Sequence, residues 1–441
     1  MKNRRKQWMI ITLFILLVRL LGGGPIYGKD QLFSEVVSET GQHRVNFQEG
    51  MALVSRDGSE AVPIGTGTLL KKPGTYFISF YKEGRIQKIQ KVILPRKETR
   101  QEVALSDAAQ LEEVLKGAME DFLPTLKVTF AYGSYNMQEL SELINQTIEK
   151  LVRQYPKLAY EGNRMRYETY ANASLKVQKP VVEISFMYPL QIKNTLKQYD
   201  ARANQKITQI IEQCISSGMK DYEMEWALVD YIIKHVTYSS TTQRGVSYVN
   251  PKPLSHTLYG TLLDQNAVCD GYARSTQYLM NAVGIPTKLV VGTTLGNIGH
   301  AWNLVKIQEA YYHLDTTWAD EEKGNSQHIY NYFNERDDFM KATHTWDVTQ
   351  YPKAVATAYS MPYTPLKFPN TYSIEDSKVL SEMIQQFKKS GSTSGTFILK
   401  NVKTQKWHPE AILKQMVNQL GRGITYTCYY KYDCFVISFD E

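Results

Sequence analysis

Cysteine is scarce in this chain: Cys214, Cys269, Cys428 and Cys434 are the four among 441 residues. A set so sparse does not supply the disulfide framework of a small secreted scaffold. The Gly-x-x-x-x-Gly-Lys phosphate loop, the His-Glu-x-x-His pair and the Cys-x-x-Cys pair are missing too, so nucleotide hydrolysis and the common zinc chemistry lack sequence support. Acidic residues are missing from the first 28 positions, which carry Lys2, Arg4, Arg5, Lys6 and Arg19. Those five cations account for most of the formal net charge of +7 and leave about +2 for the rest, no basis for a nucleic-acid partner. The apolar run Met9 to Val18, interrupted at Arg19, falls short of the ~20 residues that span a bilayer. With its basic start and its Gly22 to Pro25 exit it reads as a secretory signal cleaved after Gly28, or as an uncleaved anchor through residues 9–21. Either way the remainder is expected outside the cell, secreted or at the cell surface, touching membrane only through that segment. No lipobox cysteine is present.

What is there is an ordinary globular composition, 43% apolar and 22% charged, long enough for roughly three domains. Its most informative residue is Cys269. The residues Tyr272, Thr276, Leu279, Met280 and Val283 follow the 3.6-residue period, and Gly284 and Pro286 stop it. Cys269 therefore stands at a helix N-terminus, where unpaired N–H groups and the positive end of the dipole favour a thiolate and any oxyanion it makes. Two strands downstream, Val291 to Val305 and Tyr311 to Thr317, flank a tight connection within Ile307 to Ala310. Residues opposed across a two-residue turn have numbers that sum to an odd value, and His300 and Asp315 satisfy this. They are expected on one face, directly opposite or one diagonal step apart, where a carboxylate can fix an imidazole tautomer beside a thiolate. The turn lacks the Gly or Asn of the tightest hairpins. His313 has the same parity as Asp315 and is a rival partner to it, though the expected reading is an exposed strand histidine; Trp302 shares the His300 face as a cleft wall, Cys214 reads as a small buried residue and His235 as a core-edge histidine.

These segments resemble the transglutaminase-like superfamily: Cys269-Asp-Gly-Tyr-Ala273, Gly284-Ile-Pro286, His300-Ala-Trp302 and Leu314-Asp-Thr-Thr-Trp318 come in that family's order, and Tyr259-Gly-Thr-Leu-Leu263 fits its bacterial branch. Glu309 and Tyr311 depart from the Gly and Trp usual before the aspartate. The resemblance covers about residues 220 to 320. It implies a papain-like core with Cys269 as nucleophile, His300 as base and Asp315 as its orienter; Tyr272, Tyr259 and Trp302 are the candidate substrate contacts. No metal or cofactor is required by that mechanism.

The fold class expected is α+β: a papain-like transglutaminase core over 201–365, an α/β module over 105–200, a second over 366–441 in similar order, either an internal repeat of the first or convergent patterning, and an immunoglobulin-like β-sandwich over 29–104. Cys428 and Cys434 flank a hairpin centred near Lys431, which would set them opposite one another for a disulfide. The function expected is an exported cysteine enzyme that acts on amide bonds of proteins or peptides, cell-wall peptide among them, through a thioester that passes to an amine or to water. The alternative is a non-catalytic surface protein that keeps the fold as a binding scaffold.

Overall fold

Glu83 and Gly84 both take positive φ, 52° and 68°, and turn the strand Gly74–Lys82 straight into Arg85–Leu94. This is the two-residue hairpin whose twist matches its strands. The computed structural model describes residues 25–27, 34–39, 42–158, 162–169, 172–189, 193–239, 254–320, 332–366, 371–404, 407–420 and 425–440. The expected signal or anchor lies outside them, apart from Pro25–Tyr27, which pairs with Arg85–Leu94 as a sheet edge. Five antiparallel strands make the first sheet, in the order Pro25–Tyr27, Arg85–Leu94, Gly74–Lys82, Met51–Arg56, Val62–Ile64. A second sheet pairs Gln42–Phe47 with Ser34–Glu39 on one side and Thr68–Leu70 on the other. Val45, Leu70, Ile78, Phe80 and Val92 fill an apolar layer of their own. Phe77, Tyr81 and Ile89, on the opposite face of the long hairpin, belong instead to the main core.

That core runs continuously from Leu53 to Phe333, so the N-terminal sheets are packed onto the rest of the molecule. Asn281, on the helix Cys269–Ala282, shows how. Its amide oxygen accepts from the N–H groups of Ala61 and Thr287, and its amide nitrogen donates to the carbonyls of Gly58 and Thr287. All four hydrogen-bonding positions of a buried amide are thereby used. A second joint is ionic. Asp57 meets Lys116 at 2.8 Å, and Lys157 meets Asp200 at 2.8 Å, next to the Tyr259 hydroxyl.

Two modules of the same connectivity follow, one after the N-terminal sheets and one after the segment that carries Cys269, His300 and Asp315. The first runs Glu102–Leu105, helix Ala109–Glu120, Thr125–Phe130, helix Met137–Gln154, Gly162–Tyr167, Val181–Met187; a short strand pair is inserted between these elements. The second runs Thr371–Ile374, helix Leu380–Ser390, Ser394–Lys400, helix Pro409–Leu420, Thr425–Lys431, Cys434–Asp440. In each sheet the spatial order is first, second, fourth, third, with the first pair parallel and the others antiparallel. The second module seats one sheet face, through Ile398, Cys434 and Val436, on Met361 and Trp226 of the middle of the chain.

The expected cysteine pair is not formed. The final hairpin turns at Tyr432 and Asp433, so Lys431 faces Cys434 and Cys428 faces Ile437. A turn centred between two residues, instead of on Lys431, sends the two thiols to opposite faces: Cys428 is exposed, Cys434 is buried and both are free. Between the modules lie helices Lys193–Cys214 and Asp221–His235, the cysteine helix, and an antiparallel sheet ordered Ala310–Leu314, Ile298–Ile307, Thr287–Thr294, His344–Trp346. Among the described residues no helix is long and apolar enough to cross a membrane.

Candidate active site

The cysteine helix begins at Cys269 itself, with extended Val268 as its N-cap. Valine has no side-chain acceptor, so the first N–H groups of the helix are not drawn onto a capping side chain and remain aimed at the sulfur's surroundings. Gly271 lets the helix start lie close to its neighbours. A Cβ there would stand 2.4 Å from the Ser255 carbonyl oxygen and 2.7 Å from the Thr261 hydroxyl. Beside the half-buried Cys269, Asp270 holds the Nδ1 of His256 at 3.1 Å.

The two strands expected after the helix are in fact three. Val291 to Val305 is broken by a turn at Leu295 to Asn297, with Gly296 and Asn297 at positive φ. The next turn, Gln308–Glu309, is the two-residue type, and Gln308 takes the positive φ (53°) for which a Gly or Asn was missing. Its register pairs Leu304 with His313 and Asn303 with Leu314. The strand ends at Leu314, and Thr316 to Asp320 turn into a short helix rather than continuing as strand. Extending the register puts Trp302 across from Asp315, so His300 is one diagonal step away. Its Nε2 lies 2.7 Å from Asp315 Oδ2. Asp315 Oδ1 accepts the N–H groups of Thr317 at 3.0 Å and Trp318 at 3.2 Å, which fixes the carboxylate by its other end.

With Nε2 committed to the carboxylate, Nδ1 is the His300 nitrogen left for the thiol. Burial alone would push this imidazole's pKa down, but the Asp315 charge and hydrogen bond, joined by Cys269, raise it to about 10. Burial would raise the Asp315 carboxyl in turn, but His300 and then His344 bring it down to about 2. The site thus favours an imidazolium between a carboxylate and a sulfur.

His344 was not foreseen from the sequence. It arrives on the strand His344–Trp346, and its Nε2 stands 3.1 Å from the same Asp315 oxygen. The potential ligand atoms of His300, Asp315 and His344 lie within 4.8 Å of one another, close enough to serve a metal ion as well as a hydrogen-bond network. Behind them sits a second relay. Trp302 stacks on His300, with centroids 5.9 Å apart, and donates its indole N–H to His313 Nδ1 at 3.0 Å. The His313 Nε2–H then donates to Asp337 at 2.9 Å. His313 is fully buried, not an exposed strand histidine, and burial lowers its pKa despite Asp337.

The structure brings Cys269, His300, Asp315 and Trp302 together. Trp302 is 1% exposed and acts as the wall behind His300. Tyr272 is equally buried, stacked on Tyr238 with its hydroxyl on Asp320. Tyr259 is elsewhere, in the ionic joint, bonded to Asp200 and the Lys157 carbonyl with no exposed surface to offer a substrate. His235, expected at the core's edge, is exposed and stacks on Tyr231 at the end of its helix, while Cys214, expected buried, is half-buried with its thiol raised by burial to about 11.

Residues 208–316 match the profile of the transglutaminase-like superfamily. This chain carries a transglutaminase-like domain. Among solved structures, it is similar to a TGase at 14% identity over 76% of this chain and 89% of that one, with a TM-score of 0.24. It is also similar to the periplasmic domain of TgpA from Pseudomonas aeruginosa, at 14% identity over 35% of this chain and 62% of that one, TM-score 0.21. A candidate cysteine protease from Cytophaga hutchinsonii aligns over the same shares at 14% identity, TM-score 0.22. This chain thus spans less than two thirds of the length of the last two. No curated protein sequence matches it. The transglutaminase-like domain, as matched, ends one residue after Asp315 and so leaves His344 and Asp337 outside it.

Proposed function

We propose that the transglutaminase-like domain is the catalytic part of an exported cysteine enzyme acting on amide bonds of protein or peptide substrates. The observation that carries this is the buried Asp315 carboxylate gripping Nε2 of His300, with the other ring nitrogen free for Cys269 at the start of its helix. The Cys269 sulfur bonds to the substrate carbonyl carbon, and uncapped N–H groups of the helix start stabilise the oxyanion. The carbon–nitrogen bond breaks as His300 delivers its proton to the departing amine, which leaves an acyl thioester. An entering amine or water takes the acyl group, His300 receives the proton from it, and the thiolate is regenerated. An amine yields a cross-link, water a hydrolysed product. The basic, apolar N-terminal segment supports export, and the N-terminal sheets fit an immunoglobulin-like spacer held against the enzyme.

The test measures monodansylcadaverine incorporation into casein and casein cleavage, with Cys269→Ala, His300→Ala and Asp315→Asn as variants. Wild type is expected to perform at least one, Cys269→Ala neither, and the other two are expected to lose about 100-fold or more. Equal rates in Cys269→Ala and wild type would end the proposal.

A further inference from the structure

We infer that His344 is a positioning residue for the reaction, the second of two imidazoles that hold Asp315 in register with His300; this rests on the reading of Cys269, His300 and Asp315 as catalytic. Asp315 has two oxygens and two kinds of constraint. Oδ1 is tied to the backbone N–H groups of Thr317 and Trp318, at the first turn of the short helix Thr316–Asp320. Oδ2 is the oxygen that His300 uses, and with Oδ1 already tied to the backbone, one ring leaves the second lone pair of Oδ2 unmet. The His344 Nε2 at 3.1 Å is a second donor on Oδ2, approaching from a different strand with its ring tilted 52° from that of His300.

Its tautomer follows from the charge of its partner. Ionised Asp315 can only accept, so Nε2 carries the proton toward it, and Nδ1, 2.8 Å from the Thr343 hydroxyl, is left to accept from that group. The ring is enclosed as well. Trp318 at 4.7 Å, Trp302 at 4.9 Å and Tyr332 at 5.8 Å surround it, and its side chain has no exposed surface. Water therefore does not compete for the bond, and a buried hydrogen bond to a charged group is of the stronger kind. The scaffold is shared, because His344 faces Thr294 across one edge of the strand Thr287–Thr294 and Gly292 faces His300 across the other. One strand thus sets both rings around one carboxylate.

The experiment measures alkylation of Cys269 by iodoacetamide at pH 7, followed residue by residue by peptide mass spectrometry so that the other three cysteines do not interfere. Wild type, His344→Phe and His344→Gln are compared, with thermal melts recorded beside them. Phenylalanine keeps the ring packing and removes the donor, whereas glutamine returns an N–H near the place of Nε2. Alkylation is expected to fall about tenfold in His344→Phe, the scale of an outer hydrogen bond that orients a reacting imidazole, and to recover to within about twofold of wild type in His344→Gln. Equal rates in wild type and His344→Phe would overturn the positioning role while leaving the triad intact. A wild-type Cys269 no faster than free cysteine would instead overturn the triad reading beneath it. Nitrogen-15 histidine NMR on the unmutated protein adds a readout that requires no variant to fold. His344 is expected as the Nε2–H tautomer, and a proton on Nδ1 alone, with Nε2 bare, would also refute the assignment.

Discussion

Asp315 shows how one side chain can be held ionised inside a protein. Its carboxylate has no exposed surface, a situation that by itself costs several kcal/mol, yet two backbone N–H groups and two imidazoles surround it. The linkage to pH has two windows. His300, pulled down by burial and more strongly up by Asp315, sits at about 10 against an ordinary 6.5. A group raised on folding contributes its stability in full below the unfolded value, so this contribution is complete below about pH 6.5 and is lost as pH climbs through about 10. Asp315, pushed up by burial but further down by His300 and His344 to about 2, contributes above its ordinary 3.8 and loses that as pH falls through about 2. Thermal melts from pH 2 to 11 are expected to show wild type losing stability relative to Asp315→Asn at both ends. Parallel curves for the two proteins across pH 7 to 10 would contradict the raised imidazole.

At the scale of the element, the sequence was most legible where one local rule decided the outcome. The cysteine helix began where its period and its stop signal said it should, and the tight hairpin after Ile307 delivered His300 to Asp315 by parity alone. Legibility ended where the position depended on chain returning from far away. His344 and Asp337 lie in a short strand and a single helical turn with no spacing pattern, so nothing local marks them as partners of Asp315 and His313. The final hairpin failed differently: Tyr432, an unusual residue for positive φ, took the turn position and moved Cys428 off the face of Cys434. Two glycines separate motif from mechanics. A Cβ on Gly292 would meet the Thr345 carbonyl oxygen at 2.1 Å and the Trp302 ring at 2.9 Å, whereas one on Gly299, beside His300, would meet nothing within 4 Å. Gly292→Ala is expected to cost about 1–3 kcal/mol in urea unfolding and to slow Cys269 alkylation, because the strand bearing His344 must shift. Gly299→Ala is expected within about 0.5 kcal/mol of wild type. The reverse ranking would mean that the Gly-His-Ala-Trp signature, not the strand approach, sets the glycine requirement.

For the whole molecule, the N-terminal sheets, both modules and the transglutaminase-like domain are joined by packing rather than by linkers, and the apolar seat of the last module has a charged pair beside it. Lys431, at the tip of the final hairpin, meets Glu335 at 2.5 Å, and the Tyr432 hydroxyl donates to the same carboxylate at 2.6 Å. Both charged side chains are almost wholly buried. The backbone of Glu335 exchanges two hydrogen bonds of 2.8 Å with His313, the residue that receives the Trp302 indole. Lys431→Met is expected to destabilise the protein by about 3–5 kcal/mol, the usual penalty for stranding one half of a buried ion pair, and Lys431→Met with Glu335→Leu to regain most of it. A double variant no better than the single one would show that the hairpin tip contributes through its shape and not its charge.

That ion pair also sets a timetable. On the ribosome the chain delivers Cys269, His300, Asp315 and then Glu335 well before the lysine that neutralises Glu335, which is 96 positions further on. Until that lysine arrives, burial favours the neutral form of the Glu335 carboxyl, which even in the folded protein is held up at about 7, so the middle of the chain and the last module are joined as an ion pair only once the final hairpin has docked.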